Sequence, residues 1–207
     1  LYAPGLGYYS AGSTKLHRDG DFTTAPETSP LFGQALAAQV AQILQASGSR
    51  TVLEFGAGSG ALAAALIPAL QALGIAADYR ILELSADLRA RQQERLAPWG
   101  DQVQWLDALP EAFDGCVLAN EVLDAMPVSL FRWNGQGGLD ALGVEHDARP
   151  DAASPFAWAA RPADPGTAAT IAARMPPLPG YQSDINLQAE AWVRDLGRWL
   201  RRGAAVL

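Results

Sequence analysis

The sequence is short of the residues that several common chemistries need. Cys116 is the single cysteine in 207 residues, so no intrachain disulfide can form and a reducing compartment is allowed. It lies in an apolar run and reads as a small core residue. The two histidines, His17 and His146, stand alone in turn or surface contexts, so no metal site is expected. Lys15 is the single lysine, a compositional bias and not a site. Basic charge of any kind is scarce: 15 Lys+Arg stand against 22 Asp+Glu, for a net charge of −7. That balance argues against nonspecific binding to nucleic acid or to an anionic membrane. It is compatible with a basic partner such as an arginine-bearing protein. Long hydrophobic runs are lacking too. The longest, Ala61–Ala77, is interrupted by Pro68, Gln71 and Gly74 and is too short to span a bilayer. No basic-then-apolar leader starts at Leu1. The chain opens without an initiator Met and stops at Gly203–Leu207, where a strand begins, so it reads either as part of a longer protein or as only its ordered part.

A hydrophobic fraction of 49% with 18% charged residues describes a chain able to bury a core. Its first thirty residues carry no period and read as a long ordered loop. Ser29-Pro30 then supplies an N-cap and a first-turn proline for a helix. Leu36, Val40, Ile43 and Leu44 mark its buried face, and Gly48 ends it. Alternation of strands and helices follows: strand 51–55, helix 61–73 with a bend at Pro68, strand 79–84, helix 85–96 capped by Ser85, strand 103–106 and strand 115–119. Such alternation predicts a parallel sheet with helices on both faces. The pattern then changes. Val128–Trp133 and Leu139–His146 flank Asn134-Gly135-Gln136-Gly137-Gly138, a β-hairpin signal. Phe156–Ala160 adds a strand, and residues 149–180, rich in Ala and Pro, form an insertion with a short helix over 167–174. A last helix, capped by Asp184 or Asn186, runs to Arg202 and is closed by Gly203; Val206-Leu207 enters a fifth strand. Four segments result: 1–48, 49–127, 128–183 and 184–207.

The most informative run is Val52-Leu53-Glu54-Phe55-Gly56-Ala57-Gly58-Ser59-Gly60. A strand, a turn with three glycines and a helix N-terminus together make a nucleotide-cofactor site. Gly56, Gly58 and Ala61 also fit the dinucleotide fingerprint, so the turn alone does not choose between cofactors. Glu54 does. A carboxylate just ahead of the turn sits badly beside a pyrophosphate and well beside the ammonium of a cofactor that carries an amino acid, which points to S-adenosylmethionine. Glu83, with Leu84 beside it, ends the second strand at the spacing from which an acid accepts hydrogen bonds from ribose hydroxyls. Both cofactor classes want that residue. Asp107 follows the third strand, where it either accepts the adenine amine, with Leu106 against the ring, or is an ordinary loop acid. After strand four comes Asn120-Glu121-Val122-Leu123-Asp124, on the rim where ligands bind in open α/β sheets. Glu121 and Asp124 are three apart and share a face in a helical turn. They are the catalytic candidates, with Asn120 placing cofactor or substrate.

Gly7-Tyr8-Tyr9, Gly20-Asp21-Phe22-Thr23-Thr24-Ala25-Pro26-Glu27 with Phe32-Gly33, Glu54-x-Gly56-x-Gly58-x-Gly60 and Asn120-Glu121-x-x-Asp124-Ala125-x-Pro127-Val128 together resemble the MidA family. Its mitochondrial members are complex I assembly factors that methylate protein arginines with S-adenosylmethionine. The resemblance implies a class I methyltransferase: an α/β, Rossmann-like, mainly parallel twisted sheet with helices on both faces, a β-rich insertion after strand four, and seven strands of which this chain supplies about five. It implies that Gly56, Gly58, Gly60, Glu83 and the strand-four block line the cofactor site. It also implies that the loop holding Thr24, Pro26 and Glu27 closes over that site. Segment 128–183, read from its composition, is expected to cover the C-terminal edge of the sheet and the acceptor site. The expected reaction is protein arginine N-methylation, linked to respiratory complex assembly, in the cytoplasm of a bacterium or the mitochondrial matrix of a eukaryote. The alternatives are a small-molecule methyltransferase, an NAD(P)-dependent oxidoreductase and a non-catalytic assembly factor that binds the cofactor.

Overall fold

The computed structural model describes residues 7–8, 24–149 and 153–207. Most of the expected opening loop, with Lys15, His17 and the block Gly20–Thr23, lies outside the described residues, as do residues 150–152 of the insertion. In chain order the elements are α1 (Ala25–Thr28), α2 (Leu31–Ser47), β1 (Thr51–Phe55), α3 (Ala61–Ala72), β2 (Asp78–Leu82), α4 (Ala86–Leu96), β3 (Val103–Leu106), β4 (Phe113–Leu118) and β5 (Ser129–Trp133). They continue with β6 (Leu139–His146), β7 (Phe156–Pro162), α5 (Pro165–Ala172), β8 (Gln182–Ile185), α6 (Leu187–Trp199) and β9 (Leu200–Val206). The chain divides into two units, Leu1–Ala125 with Val193–Leu207, and Met126–Trp192.

In the first unit five parallel strands run in the order β3-β2-β1-β4-β9. The α/β, mainly parallel class read from the alternation is the observed one. Strand order reverses between β1 and β4, which makes their carboxyl ends a topological switch point. Side chains alternate across each strand. Val52, Tyr79, Ile81, Cys116 and Leu118 therefore share one face and join a core with α2 and α3. Phe55 and Phe113 serve the other face, where both meet the Trp199 ring. Helix α2 approaches α3 through small residues. A Cβ on Gly33 would stand 2.7 Å from that of Ala65, and Ala37 and Ala41 are buried in the same stripe with Val40 and Leu44. Leu36 and Ile43, expected on this face, are only half-buried. The small residues take the seam because they let the two backbones come close.

Several boundaries differ from the sequence expectation. Residues 25–28 form a turn of helix instead of loop. Ser29 Oγ accepts the Leu31 N–H at 3.2 Å, while Pro30 precedes the first helical residue instead of occupying it. Strand β2 ends at Leu82, so Glu83 lies in the turn beyond it. Asp164, not a later residue, starts α5 by accepting the Thr167 N–H at 2.9 Å. The largest correction is at the C-terminus. Asn186 caps α6 through the Ala189 N–H at 2.8 Å, but the helix ends at Trp199, and Arg201 to Gly203 belong to a strand. Gly203 is thus not a helix terminator. It pairs with Gly115 at positive φ, and a Cβ on it would fall 1.8 Å from the Gly115 oxygen. The glycine is there because β4 and β9 leave no room for a side chain.

The second unit is an antiparallel sheet in the order β7-β6-β5-β8. Asn134 closes the β5–β6 hairpin, its Oδ1 accepting the Gly138 N–H at 2.8 Å. Strand β8 had no sequence signal strong enough to foresee it, being the short polar run Gln182–Ile185. Phe131, Trp133, Ile171 and Ile185 form its core. Among the described residues, no helix is long and apolar enough to cross a membrane.

Candidate functional site

Parallel pairing in register brings the ends of β1, β2, β3 and β4 to one rim. Phe55 stands opposite Leu82, Leu82 opposite Leu106, and Glu54 opposite Leu118. The segments that follow, starting at Gly56, Glu83, Asp107 and Ala119, leave the sheet side by side. The sequence candidates of the first unit cluster here because the strands end together.

The turn after β1 needs its glycines. Gly56, Gly58 and Gly60 all have positive φ, at 58, 55 and 81°. L-residues with a Cβ rarely adopt that region. A Cβ on Gly56 would also lie 3.3 Å from Val122 Cγ2, in the segment after β4. The backbone of the turn is thereby exposed to a ligand at Gly56 and followed at once by the α3 N-terminus.

Glu54 is inside the sheet face, 3% exposed. The Tyr79 hydroxyl donates to its Oε2 at 2.7 Å. Burial pushes its pKa up to about 7; the Tyr79 hydrogen bond works the other way, and the nearby Glu83 adds to the rise. Among the described residues no cation pairs with it. Burial likewise holds the Tyr79 hydroxyl well above its ordinary range, so it stays a donor. The Cys116 thiol, on the same face, is pushed up to about 12 by burial and is an inert core group.

Glu83 is half-buried. Its Oε1 accepts the Ser85 N–H at 2.9 Å and its Oε2 the Gln92 amide at 3.0 Å. Burial raises its pKa, against the lowering by those bonds and by the Leu84 N–H. Leu84 is 88% exposed, and Leu106 is half-buried at the end of β3. Asp107 is exposed and takes the Arg89 guanidinium at 2.5 Å.

The N-terminal candidates reach the same rim. Thr24 precedes α1, with Pro26 in its first turn. Glu27 accepts the hydroxyl of Ser59, in the middle of the glycine turn. Arg95 of α4 donates to that hydroxyl at 2.5 Å and stands 3.7 Å from Glu27.

Asn120, Glu121 and Asp124 leave β4 as turns, not as a helix. The expected shared helical face is therefore absent. Its cause is Glu121, which has φ 52°, the single non-glycine residue with positive φ among the described residues. A right-handed helix cannot pass through it. Asn120 is half-buried, and Glu121 and Asp124 are both exposed. A bulky residue held in this region marks local strain, which concentrates at functional positions.

Sequence reasoning missed Tyr79, Gln92, Ser59 and Arg95. One of them had a signal: Leu88, Gln92 and Leu96 recur every four residues, so Gln92 is a polar residue in the apolar stripe of α4.

Over residues 35–207 the chain matches the model of a family described as "putative S-adenosyl-L-methionine-dependent methyltransferase". A solved protein from Burkholderia thailandensis, bound to S-adenosyl-homocysteine, is 49% identical with a TM-score of 0.87, the match covering 99% of this chain and 54% of that one. A native structure of an uncharacterized protein from the same organism is 48% identical with a TM-score of 0.82, covering 99% and 52%. The chain spans about half the length of these solved relatives. No curated protein matches it.

Proposed function

This chain belongs to the S-adenosyl-L-methionine-dependent methyltransferase family, and from that premise we propose that it binds S-adenosylmethionine along the rim after β1, β2, β3 and β4 and methylates an arginine nitrogen of a protein partner. The observation that carries the cofactor assignment is Glu54: a buried carboxylate with no cation against it among the described residues, two residues ahead of the first of three positive-φ glycines. An ammonium compensates that charge, whereas a pyrophosphate would meet it as a like charge. The B. thailandensis relative with S-adenosyl-homocysteine supports the same choice.

The cofactor supplies a methyl group activated by its sulfonium. The chain's own groups hold and orient it. Glu54 takes the ammonium, and Gly56 and Gly58 admit the cofactor close to the backbone. Glu83 accepts ribose hydroxyls. Leu84 and Leu106 border the adenine, and Asp107 accepts its exocyclic amine in place of Arg89. Thr24, Pro26 and Glu27 close the site from the N-terminal side, supported by the Glu27 link to Ser59. Asn120 orients cofactor or substrate. A guanidinium gives up its proton reluctantly, so Glu121 and Asp124 would localise its charge, and one of them would accept the Nη proton as the N–C bond forms and the methyl–sulfur bond breaks to leave S-adenosyl-homocysteine. Alignment of nitrogen, methyl and sulfur is the main catalytic contribution. The resemblance to the MidA blocks supports arginine as acceptor, a link to respiratory complex assembly, and a bacterial cytoplasmic or mitochondrial matrix setting. The net charge of −7 suits an arginine-bearing partner.

Titration calorimetry with S-adenosylmethionine and with NAD tests the cofactor. Binding of NAD alone refutes the reading. Radiolabelled methyl transfer into native lysate, followed by mass spectrometry of labelled proteins, tests the acceptor. Label confined to small molecules removes the arginine assignment.

A further inference from the structure

We propose that Gln92 is a positioning residue of the cofactor site, holding the glycine turn and the Glu83 carboxylate in fixed relation through one side-chain amide. This rests on the function proposed above. Gln92 is fully buried. It sits between Leu88 and Leu96 on the inward face of α4, where packing alone would favour another apolar residue. Its Nε2 donates to the Gly58 oxygen at 2.9 Å and to Glu83 Oε2 at 3.0 Å, and its Oε1 accepts the Trp105 indole N–H at 3.0 Å. The three partners belong to β3 and to the turns after β1 and β2.

The amide can face only one way. An indole N–H needs an acceptor, while a carbonyl and a carboxylate need donors. Turned over, all three contacts would fail. Trp105 therefore fixes the orientation of the amide, and the amide spends both N–H groups on the site. A donor fixed at Oε2 of Glu83 favours its ionised form against the burial that opposes it. It also fixes the plane of the carboxylate, as does the Ser85 N–H on Oε1. A carboxylate held this way is ready to accept ribose hydroxyls without reorganising. The helix carrying Gln92 is itself close against the turn, since a Cβ on Gly60 would lie 3.6 Å from the Gln92 Cα.

The test compares binding of S-adenosyl-homocysteine with that of its 2′,3′-dideoxyribose analogue by calorimetry. Wild-type protein should prefer the natural ribose by roughly 10- to 100-fold, the range for hydrogen bonds to a charged acceptor. Gln92→Met keeps the side-chain volume and removes every hydrogen bond. It should cut that preference to within about threefold, because Oε2 of Glu83, no longer held from its own side, can swing about the Oε1 bond to Ser85 or take up a proton. A preference left intact, even with a lowered melting temperature, means Gln92 only supports the fold and overturns the inference. If Gln92→Met does not fold, Trp105→Phe decides. It leaves Gln92 in place but releases the amide's orientation, so the preference should fall, and an unchanged preference overturns the proposal. A wild-type protein that binds neither ligand refutes the proposed function instead, and this inference with it.

Discussion

Replacing Glu54 by glutamine should stabilise the unliganded protein and impair it. The side chain is buried, neutralised by no cation among the described residues, and has a pKa of about 7 against an ordinary 4.5. The folded-state value lies above the unfolded one. Below the unfolded pKa both states hold the proton, and burial of the neutral acid carries no ionic penalty. As pH rises, the unfolded chain ionises first, and stability falls until the folded pKa is passed. The shift corresponds to roughly 3 kcal/mol, lost between about pH 4.5 and about pH 7. Glu54→Gln keeps an oxygen for the Tyr79 hydroxyl and never ionises. Its advantage over wild type should be near zero at about pH 4.5 and about 3 kcal/mol at about pH 8, or roughly 6–12 °C in melting temperature. Paired urea and thermal unfolding curves across that range measure it. Most other titrations cancel in the difference; Tyr79, which the Glu54 charge and hydrogen bond help to raise, titrates well above this pH range. If the two proteins change in parallel with pH, Glu54 is not the uncompensated buried acid described here.

The same substitution should cost S-adenosyl-homocysteine about 10- to 100-fold in affinity, the worth of a hydrogen bond between charged groups. Wild-type affinity should also weaken about tenfold per pH unit below about pH 7, since Glu54 must lose its proton to pair with an ammonium. Calorimetry in buffers of differing ionisation heat reads that proton directly. An affinity flat from about pH 5.5 to about pH 8 would separate Glu54 from the ligand and remove the observation on which the cofactor assignment rests.

Gly56→Ala should weaken S-adenosyl-homocysteine binding at least tenfold while destabilising the fold by only about 1 kcal/mol, from its positive φ and the close Val122 methyl; calorimetry and urea curves separate the two effects. Glu121→Gln and Asp124→Asn should each slow methyl transfer by about 10²-fold or more with cofactor affinity little changed, and single-turnover rates on the true acceptor check it. Glu121→Gly should raise stability by roughly 0.5–1 kcal/mol, because the φ of 52° suits glycine, while lowering the same transfer rate. Gly203→Ala should destabilise by about 3 kcal/mol or more, since its Cβ would stand 1.8 Å from a backbone oxygen of β4; soluble yield and urea midpoint report it.

What could be read beforehand followed from local physics. The β/α alternation, the glycine turn and the Ser85 cap are properties of a few consecutive residues, and each stands where the pattern put it. Glu54 and Glu83 were legible as positions because strand and spacing are local. Their partners were not. Tyr79 reaches Glu54 across the β1–β2 pair, and Gln92 reaches Gly58 from a helix thirty-four positions on, so only the folded arrangement brings them together. The C-terminal error has the same origin. Arg201-Arg202-Gly203 looks like a helix end by composition, but pairing with β4 draws these residues into the sheet. Glu121 defeated the helical-turn expectation because no side-chain preference announces a glutamate at positive φ.

Three departures from the stable choice meet at the rim of neighbouring strand ends, two of them on β1 and just past β4 and the third reaching the turns after β1 and β2 from α4. A glutamine at 54 would avoid the cost of ionisation, a glycine at 121 would avoid strain, and an apolar residue at 92 would suit the stripe between Leu88 and Leu96. Each alone has a local excuse. Together they face the rim that includes the switch point between β1 and β4, where the strand order reverses. Folding pressure does not explain why they should coincide, since each lowers or leaves unimproved the stability of the unliganded chain. A ligand that carries an ammonium and vicinal hydroxyls does explain it. The first group would compensate Glu54 and the second would use the carboxylate that Gln92 orients. The third departure, Glu121, then lies on the rim where an acceptor must approach. The stabilising variants of these residues should therefore be the ones that lose the ligand or the reaction.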